Sequence, residues 1–274
     1  MDRWRLLLTG HNDPYTNMAI DEAILKVYAD RNIPPTLRIY GWQPKGFSLG
    51  YFQDAFKLLN IDKCICQNIP FVRRITGGGL IFHNQELTYS ISCSKEDIKS
   101  FGSVKEGFRR LTLFLINFYR SLGLDVYFFY ERKDKSFKRK PTSFCFDSNE
   151  DCDIIIEGKK IGGNAQRRIK NVIFQHGSIP LRLDLDKIQV FLNERLVDID
   201  KKVISLKEAL GRSIDFKEAS FLLRESFKKT FFVNLIEGEF TSREEILIQV
   251  LLEHKYKTRE WNLYRIYSEN ASCT

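Results

Sequence analysis

Apolar residues recur at helix-like spacing near the start of the chain and again near its middle. Asp13 and Pro14 are typical of a helix start, and apolar positions then follow the helical period at Met18, Ile20, Ala23, Ile24 and Val27. Residues 105–122 carry one apolar stripe at a spacing close to about 3.6 residues. The pattern therefore predicts one helix after residue 13 and another over residues 105–122.

Strand-like segments occupy the centre of the chain, at residues 36–40, 80–82, 87–92, 126–130, 153–157 and 172–179. The polar turn at residues 83–86 predicts a hairpin between its two neighbouring strands. After residue 181 the pattern becomes helical, most clearly over residues 244–252. Strands in the centre with helices on either side predict an α/β (α+β) fold, with a mixed β-sheet core flanked by helices.

The sequence shows neither an internal repeat nor a low-complexity linker that would divide the chain. We therefore expect one main domain over residues 1–240 and a C-terminal helical tail over residues 241–274, packed on the same domain. The 274 residues are 43% hydrophobic and 28% charged, which is enough to close a core without disulfides or metal.

Composition argues against secretion and against membrane spanning. The longest apolar stretches fall far short of the roughly 18 residues needed to cross a bilayer, and residues 1–5 lead into no signal-peptide core. The six cysteines are too few and too dispersed for a disulfide scaffold. We expect a cytoplasmic protein in a reducing compartment.

The chain is moderately basic, with 43 Lys and Arg against 35 Asp and Glu and a formal net charge of +8. Such a charge is compatible with nucleic acid, with an anionic membrane surface or with an acidic protein partner. Part of the excess lies in residues 131–140, ERKDKSFKRK, which hold six cations and two anions. This segment is either a solvated basic loop or a docking surface.

Two glycine-rich turns, each beside cations, are the most specific local signals. In the first, Arg73 and Arg74 precede Gly77, Gly78 and Gly79. Three glycines let backbone N–H groups approach a ligand, and the arginines could supply charge for a phosphate or carboxylate. The turn matches neither a Walker A motif nor a dinucleotide fingerprint, and a plain turn remains the alternative.

The second turn reads GKKIGGNAQ over residues 158–166. A lysine among small residues can be directed into a pocket toward a carbonyl or phosphate oxygen. The alternative is that Lys159 and Lys160 are surface lysines in a hairpin turn.

Cys145 follows the basic segment and precedes a predicted strand. A thiol in an electropositive loop favours its thiolate, as a covalent nucleophile requires, although a lone cysteine is more often structural. Cys64 and Cys66 have no second pair at zinc spacing, so we expect no metal site.

His83 and His176 lie among small or polar neighbours. Each could act as a general base or be a hydrogen-bonded core histidine. His11 and His254 have no supporting neighbours, and the chain has no Gly-x-Ser-x-Gly elbow for a serine triad.

Set in order, these elements resemble the lipoate–protein ligase and octanoyltransferase family, which shares its fold with biotin protein ligases. The matching segments cover almost the whole chain: Asn17 to Glu22, Ser48-Leu49-Gly50 with Gln53, Arg73-Arg74-x-Thr-Gly-Gly-Gly with His83, Gly158-x-Lys160-x-x-Gly163-x-Ala165-Gln166, Gln175-His176-Gly177-Ser178, and Lys255-Tyr256 with Trp261-Asn262.

Cys145-Phe146, ahead of Lys160, resembles the cysteine of the branch of Gram-positive type that octanoylates the glycine-cleavage H protein. Transferases of the other branch place their cysteine after the lysine motif, where this chain has none. The chain departs from the family pattern at Asn84, where Asp is common, and at Asn164, where Ser is usual. Cys152-Asp153 replaces a common Tyr-Glu pair, so these exchanges bear on fine specificity.

The resemblance implies an octanoyltransferase with Cys145 as nucleophile and Lys160 as the catalytic lysine. It implies substrate-binding roles for Arg74, Gly77, Gly78, Gly79, His83, Gly163, Ala165, Gln166 and His176. The implied partners are acyl carrier protein, which brings the acyl group on phosphopantetheine, and the H protein or other lipoyl domains.

The resemblance implies neither a metal nor another cofactor, and we expect a monomer that binds neither nucleic acid nor membrane. An ATP-dependent lipoate–protein ligase, in which Cys145 is incidental, is the alternative. A non-catalytic protein that binds nucleic acid is a third reading, which rests on charge alone.

Overall fold

The computed structural model describes residues 1–30, 33–100, 102–131, 152–184, 188–196 and 198–268. Its strands are β1 (Asp2–Asn12), β2 (Thr36–Trp42), β3 (Gly46–Leu49), β4 (Phe71–Arg73), β5 (Ile81–His83), β6 (Glu86–Ser94), β7 (Tyr127–Phe128), β8 (Ile154–Ile156), β9 (Lys159–Lys160), β10 (Gly163–Ile169), β11 (Val172–Pro180) and β12 (Val233–Glu237). Its α-helices are α1 (Pro14–Ala29), α2 (Ala55–Leu58), α3 (Ile61–Cys66), α4 (Val104–Ser121), α5 (Ile199–Lys202), α6 (Leu206–Leu210), α7 (Phe216–Phe231), α8 (Ser242–Leu251) and α9 (Arg259–Tyr264).

The main sheet has the strand order β10-β11-β6-β2-β1-β12. β1 runs parallel to both β2 and β12, whereas β2, β6, β11 and β10 pair in antiparallel fashion. The mixed sheet with flanking helices confirms the predicted fold class. The edge strand β12 lies in a region that the sequence pattern assigned to helix.

Two smaller sheets, β4-β3-β5 and β7-β8-β9, lie beside the main one. The predicted hairpin around residues 83–86 is wrong, because β5 pairs with β3 while β6 pairs with β2 and β11. The turn carries the chain from one sheet to another. The local alternation of apolar and polar residues predicts that two strands exist, but it does not predict which strand each one pairs with.

The two predicted helices of the first half are confirmed as α1 and α4. The Asp13 side chain caps α1 by accepting from the backbone N–H groups of Tyr15 and Thr16. The apolar stripe of α4 is buried against the sheet and against α7, where Phe114 meets Phe227 edge-on at 5.2 Å. None of the described helices is long and apolar enough to cross a membrane.

The segment after residue 241 packs on the first helix and on β4. Ile248 and Leu251 of α8 belong to the same buried cluster as α1. The Trp261 indole N–H of α9 donates to the Arg73 carbonyl at 2.8 Å, and the Asn262 side-chain oxygen accepts the Arg73 backbone N–H at 2.8 Å. These contacts place the described part of the tail next to the first glycine-rich turn. The domain division at residue 240 stays a prediction.

Candidate active site

The first glycine-rich turn, residues 77–79, forms a tightly packed loop after β4. The Arg74 guanidinium donates to the carbonyl oxygens of Gly77 at 2.9 Å and Gly79 at 2.7 Å. Gly78 has a φ of +92°, and a Cβ on the neighbouring Gly50 would lie 1.9 Å from the Gly78 carbonyl oxygen. The loop, called the glycine loop below, therefore depends on glycine at both contacting positions.

Arg73 does not offer its charge to a ligand, as the sequence had led us to expect. Its guanidinium is buried and donates to backbone carbonyls on both sides, those of Gly50, Tyr51, Gln53, Trp261, Asn262 and Leu263. Arg73 thus ties the chain before the glycine loop to α9, and the expectation is wrong for this residue. The binding role of Arg74 stays a prediction. Its side chain lines a pocket that is described below.

Lys160 is not a surface lysine. Its side chain is 3% exposed, and its Nζ lies 2.7 Å from Oδ2 of Asp153, whose side chain is 8% exposed. The buried strand β8 follows Asp153 directly and pairs with β9, which carries Lys160. The hairpin thereby brings a cation and a carboxylate together inside the protein, and the surface-lysine alternative is wrong for Lys160. The Lys159 side chain is partly exposed and donates to the Asp200 carbonyl at 2.9 Å.

Lys160 and the glycine loop share one open cavity of about 410 Å³. This outer cavity is lined by Gly77, Gly78, Gly79, Val104, Phe108, Asp153, Lys160, Asn164, Ala165, Gln166 and Arg168. The second glycine-rich turn therefore faces the first one across a common space. The two motifs that the sequence singled out separately belong to one site.

A narrower pocket opens from the same place, since Asn164 and Ala165 line both spaces. This inner pocket is lined by Met18, Trp42, Ser48, Arg74, Ile81, His83, Thr88, Gly163, Asn164, Ala165, His176, Gly177 and Ser178. Its volume of about 20 Å³ holds roughly one water molecule. All of the predicted site residues in the described part of the chain line one of the two spaces.

His83 is buried at 3% exposure and is hydrogen-bonded through both ring nitrogens. Nε2 lies 2.7 Å from Oγ of Ser48, and Nδ1 lies 2.7 Å from Oε1 of Glu86. Its ring stacks on Trp42, with centroids 3.7 Å apart. His83 is therefore a fixed wall of the inner pocket.

His176 occupies the other side of the inner pocket in a second buried network. Its Nε2 lies 2.6 Å from Oγ1 of Thr76, and its Nδ1 lies 3.6 Å from Oδ2 of Asp21. Burial lowers the pKa of His176, although Asp21 acts in the opposite direction. Burial alone would raise the pKa of Asp21, but Arg38 at 2.7 Å and His176 bring it below its usual value.

Sequence reasoning missed several partners of the predicted site residues. Asp153 was noted only as a departure from a family pattern, and Glu86 only as part of a polar turn. Ser48 and Asp21 stood inside the matching segments without a role. None of these four carries a local signal, because each meets its partner through tertiary packing.

Among the described residues, no group of three or more His, Cys, Asp or Glu side chains is placed to hold a metal ion. Cys64 is buried, which raises its pKa to about 11, and Cys66 is exposed. Cys145 and residues 132–140 lie outside the described residues. The segments that flank residues 132–151 are hydrogen-bonded to each other, since the Phe129 N–H donates to the Asp153 carbonyl at 2.8 Å.

Comparison with known proteins places the chain among lipoyl-transfer enzymes. The family model described as the lipoyl protein ligase A/B catalytic domain matches residues 13–228. Octanoyltransferase LipM of Brevibacillus brevis is 36% identical over 97% of this chain and 100% of its own length. Octanoyltransferase LipM of Bacillus subtilis is 37% identical over 96% of this chain and 99% of its own.

Solved structures agree in fold. A lipoate–protein ligase A bound with ATP superposes with a TM-score of 0.79 at 26% identity, covering 97% of this chain and 100% of that one. A bipartite lipoate–protein ligase of Thermoplasma acidophilum, studied with its E2 lipoyl domain, gives a TM-score of 0.78 at 26% identity, covering 98% and 99%.

Proposed function

This chain belongs to the lipoyl protein ligase A/B catalytic domain family, and we propose that it is an octanoyltransferase of lipoic acid biosynthesis. It takes an octanoyl group from acyl carrier protein, holds it as a thioester on Cys145 and passes it to a lysine of a lipoyl-carrier protein. The octanoyltransferases that match over nearly the whole chain support this reaction.

The observation that carries the proposal is the buried Lys160 beside the glycine loop. A fixed cation, with its counter-ion Asp153 at 2.7 Å, lines the same cavity as three successive glycines. A positive charge there stabilises the oxyanion that forms when a thioester carbonyl is attacked. The same charge lowers the pKa of a thiol brought close to it, which favours the thiolate nucleophile.

The reaction proceeds in two balanced steps. In the first, the Cys145 thiolate attacks the octanoyl thioester, the new C–S bond forms, and the phosphopantetheine thiolate leaves and takes up a proton. In the second, the neutral amine of the acceptor lysine attacks the acyl-enzyme. An amide forms, the amine gives up a proton, and the Cys145 sulfur leaves. Each thioester is a reactive acyl donor, so no ATP is consumed.

The acyl chain is assigned to the inner pocket, whose apolar wall includes Met18, Trp42 and Ile81. An eight-carbon acyl chain is larger than the inner pocket, whose volume of about 20 Å³ is enough for roughly one water molecule. The side chains that line the inner pocket must therefore shift when the octanoyl group enters. His83 and His176, with Arg74, Gly163 and Ala165, would line the bound acyl group.

We assign the donor and acceptor roles to acyl carrier protein and to the glycine-cleavage H protein or another lipoyl domain. The basic residues 131–140 supply a docking surface for the acidic donor, and the net charge of +8 raises the encounter rate. The enzyme acts in the cytoplasm as a monomer and uses neither metal nor another cofactor.

An ATP-dependent lipoate–protein ligase is the second candidate, favoured by the fold shared with the ATP-bound ligase. An assay of octanoyl transfer from octanoyl-acyl carrier protein to H protein, run without ATP, distinguishes the transferase from the ligase. The proposal predicts acceptor octanoylation under these conditions. Modification that appears only with free octanoate or lipoate plus ATP would contradict it.

A further inference from the structure

An unbroken run of hydrogen bonds connects Glu86 to the glycine loop. Glu86 Oε1 lies 2.7 Å from Nδ1 of His83, and Nε2 of His83 lies 2.7 Å from Oγ of Ser48. Arg74 Nη1 donates to that same Oγ at 3.1 Å and to the Ser48 carbonyl at 2.9 Å. Arg74 Nη2 then holds the loop carbonyls. We infer that Glu86 is a positioning residue for acyl transfer, acting on the glycine loop through this relay.

The protons of the relay can be placed because each of its groups has a fixed capacity to donate or accept hydrogen bonds. The Glu86 carboxylate only accepts, so Nδ1 of His83 carries a proton and donates it to Glu86. In the neutral ring Nε2 then accepts the Ser48 hydroxyl proton, while the Ser48 oxygen accepts from Arg74. The relay therefore has one direction, from the guanidinium to the carboxylate, and Glu86 selects the His83 tautomer that sustains it.

Glu86 is itself fixed from the other side. The Thr88 hydroxyl accepts from the Trp42 indole N–H at 2.7 Å and donates to Oε1 of Glu86 at 2.6 Å. The Ser178 hydroxyl donates to Oε2 at 2.8 Å. The buried carboxylate thus accepts from His83, Thr88 and Ser178, and these bonds fix its position.

At the far end, the relay sets the orientation of a loop peptide. Arg74 Nη2 bonds the Gly77 carbonyl oxygen, which belongs to the same peptide unit as the Gly78 N–H. The oxygen and hydrogen of a trans peptide point in opposite directions, so the Gly78 N–H is turned away from Arg74. Gly78 lines the outer cavity with Lys160, and its N–H is a second candidate donor to the oxyanion.

Glu86 does not itself line the two spaces assigned to the substrates. Among the described lining residues of the inner pocket and the outer cavity, Glu86 does not occur. It borders instead a groove on the other side of Trp42, with Gln85 and Arg182. Glu86 also contacts Thr88 and Ser178, which line the inner pocket, so only the double variant with Ser48 isolates the route through His83. The inference deepens the proposed function and rests on it.

The test is Glu86→Gln, measured by the single-turnover rate of acyl-enzyme formation from octanoyl-acyl carrier protein. We expect the maximal rate to fall about tenfold, equivalent to one weakened charge-assisted bond, with the half-saturating donor concentration unchanged. Gln85→Ala changes an exposed side chain of the same turn, which lies outside the relay, and it should keep the wild-type rate. A rise in half-saturation with an unchanged rate would overturn the inference.

A double-variant cycle supplies a readout that a merely structural role would not give. If Glu86 acts through Ser48, then Glu86→Gln combined with Ser48→Ala loses no more rate than the more damaging single variant. Additive losses would show separate actions and overturn the relay. If Glu86→Gln does not fold, Ser48→Thr against Ser48→Ala takes its place, and only the variant that keeps a hydroxyl should retain the rate.

Failure of the proposed function gives a different result. A wild-type protein that forms no acyl-enzyme contradicts the transferase proposal irrespective of Glu86. The same variants are then compared on lipoate with ATP. The relay predicts the same loss of maximal rate there, because the glycine loop lines the cavity for either reaction, and an unchanged rate would overturn it.

Discussion

Lys160 and Asp153 form a buried ion pair, with Nζ 2.7 Å from Oδ2, at the edge of the outer cavity. Removing one partner of such a pair leaves an uncompensated charge in a poorly solvated place. The pair therefore couples the chemistry of the site to the stability of the fold around β8 and β9. Both effects can be measured on the same variants.

Replacing Lys160 by Ala should abolish more than about 99% of the transfer rate, because the cation that faces the developing oxyanion is lost. The free energy of unfolding should also fall, by about 3–5 kcal/mol, since the buried Asp153 carboxylate loses the Lys160 cation. Urea unfolding and single-turnover kinetics check the two effects. The double variant Lys160→Met with Asp153→Leu should recover stability without activity, and recovered activity would contradict the role of Lys160.

Replacing Gly50 by Ala should inactivate the enzyme. The added Cβ would lie 1.9 Å from the Gly78 carbonyl oxygen, so the glycine loop has to move. Gly77→Ala is the matched variant for stability, because its Cβ meets nothing within 4 Å. Thermal unfolding should show Gly77→Ala close to wild type, and a fully active Gly50→Ala would show that the loop position does not matter.

The buried His176 predicts a pH-dependent stability. Its pKa in the folded protein lies below the usual value of 6.5, mainly because burial disfavours the charged ring. Below about pH 6.5 the unfolded chain therefore binds more protons, and stability falls as pH falls, by at most about 1.4 kcal/mol per unit for one group. The loss levels off below the folded pKa, and above pH 6.5 the group has no effect.

Urea unfolding between pH 5 and 8 measures this slope. Asp21, whose pKa in the folded protein is also lowered, contributes at lower pH, because its usual value is 3.8. His176→Gln should flatten the part of the curve below about pH 6.5. An equal slope in wild type and variant would show that His176 is not held neutral by burial.

The basic segment predicts a salt-sensitive donor interaction. Lys138 and Arg139 lie outside the described residues, so this prediction rests on the sequence. Lys138→Glu with Arg139→Glu should slow transfer from acyl carrier protein at low ionic strength, and added salt should reduce the difference. Lys217→Glu with Lys229→Glu, two exposed changes on α7 that alter the net charge equally, is the matched control. Equal kinetics at low salt would exclude the segment as a docking surface.

The sequence predicted best those elements whose burial follows a local period. The stripe of α4 is buried as expected, because about one side of a helix faces the core and the spacing records it. Strand partners carry no such record. β5 and β6 are adjacent in the chain but belong to different sheets, and β12 joins the sheet as a parallel neighbour of β1.

The same limit applies to the site. The two glycine-rich turns and Lys160 could be recognised from the sequence, because each is an unusual local pattern. Asp153, Glu86 and Ser48 are ordinary residues whose importance comes from a partner brought near by the fold. Arg73 shows the converse, because a conspicuous cation beside the glycines is fully engaged by backbone carbonyls.

The most direct measurement is the intact mass of the purified protein after incubation with octanoyl-acyl carrier protein without ATP, beside Cys145→Ala. We predict one added octanoyl group on wild type, labile to hydroxylamine and absent from the variant. Wild type without an adduct, and acceptor modification only with free acid and ATP, would make this protein a ligase and contradict the thioester route.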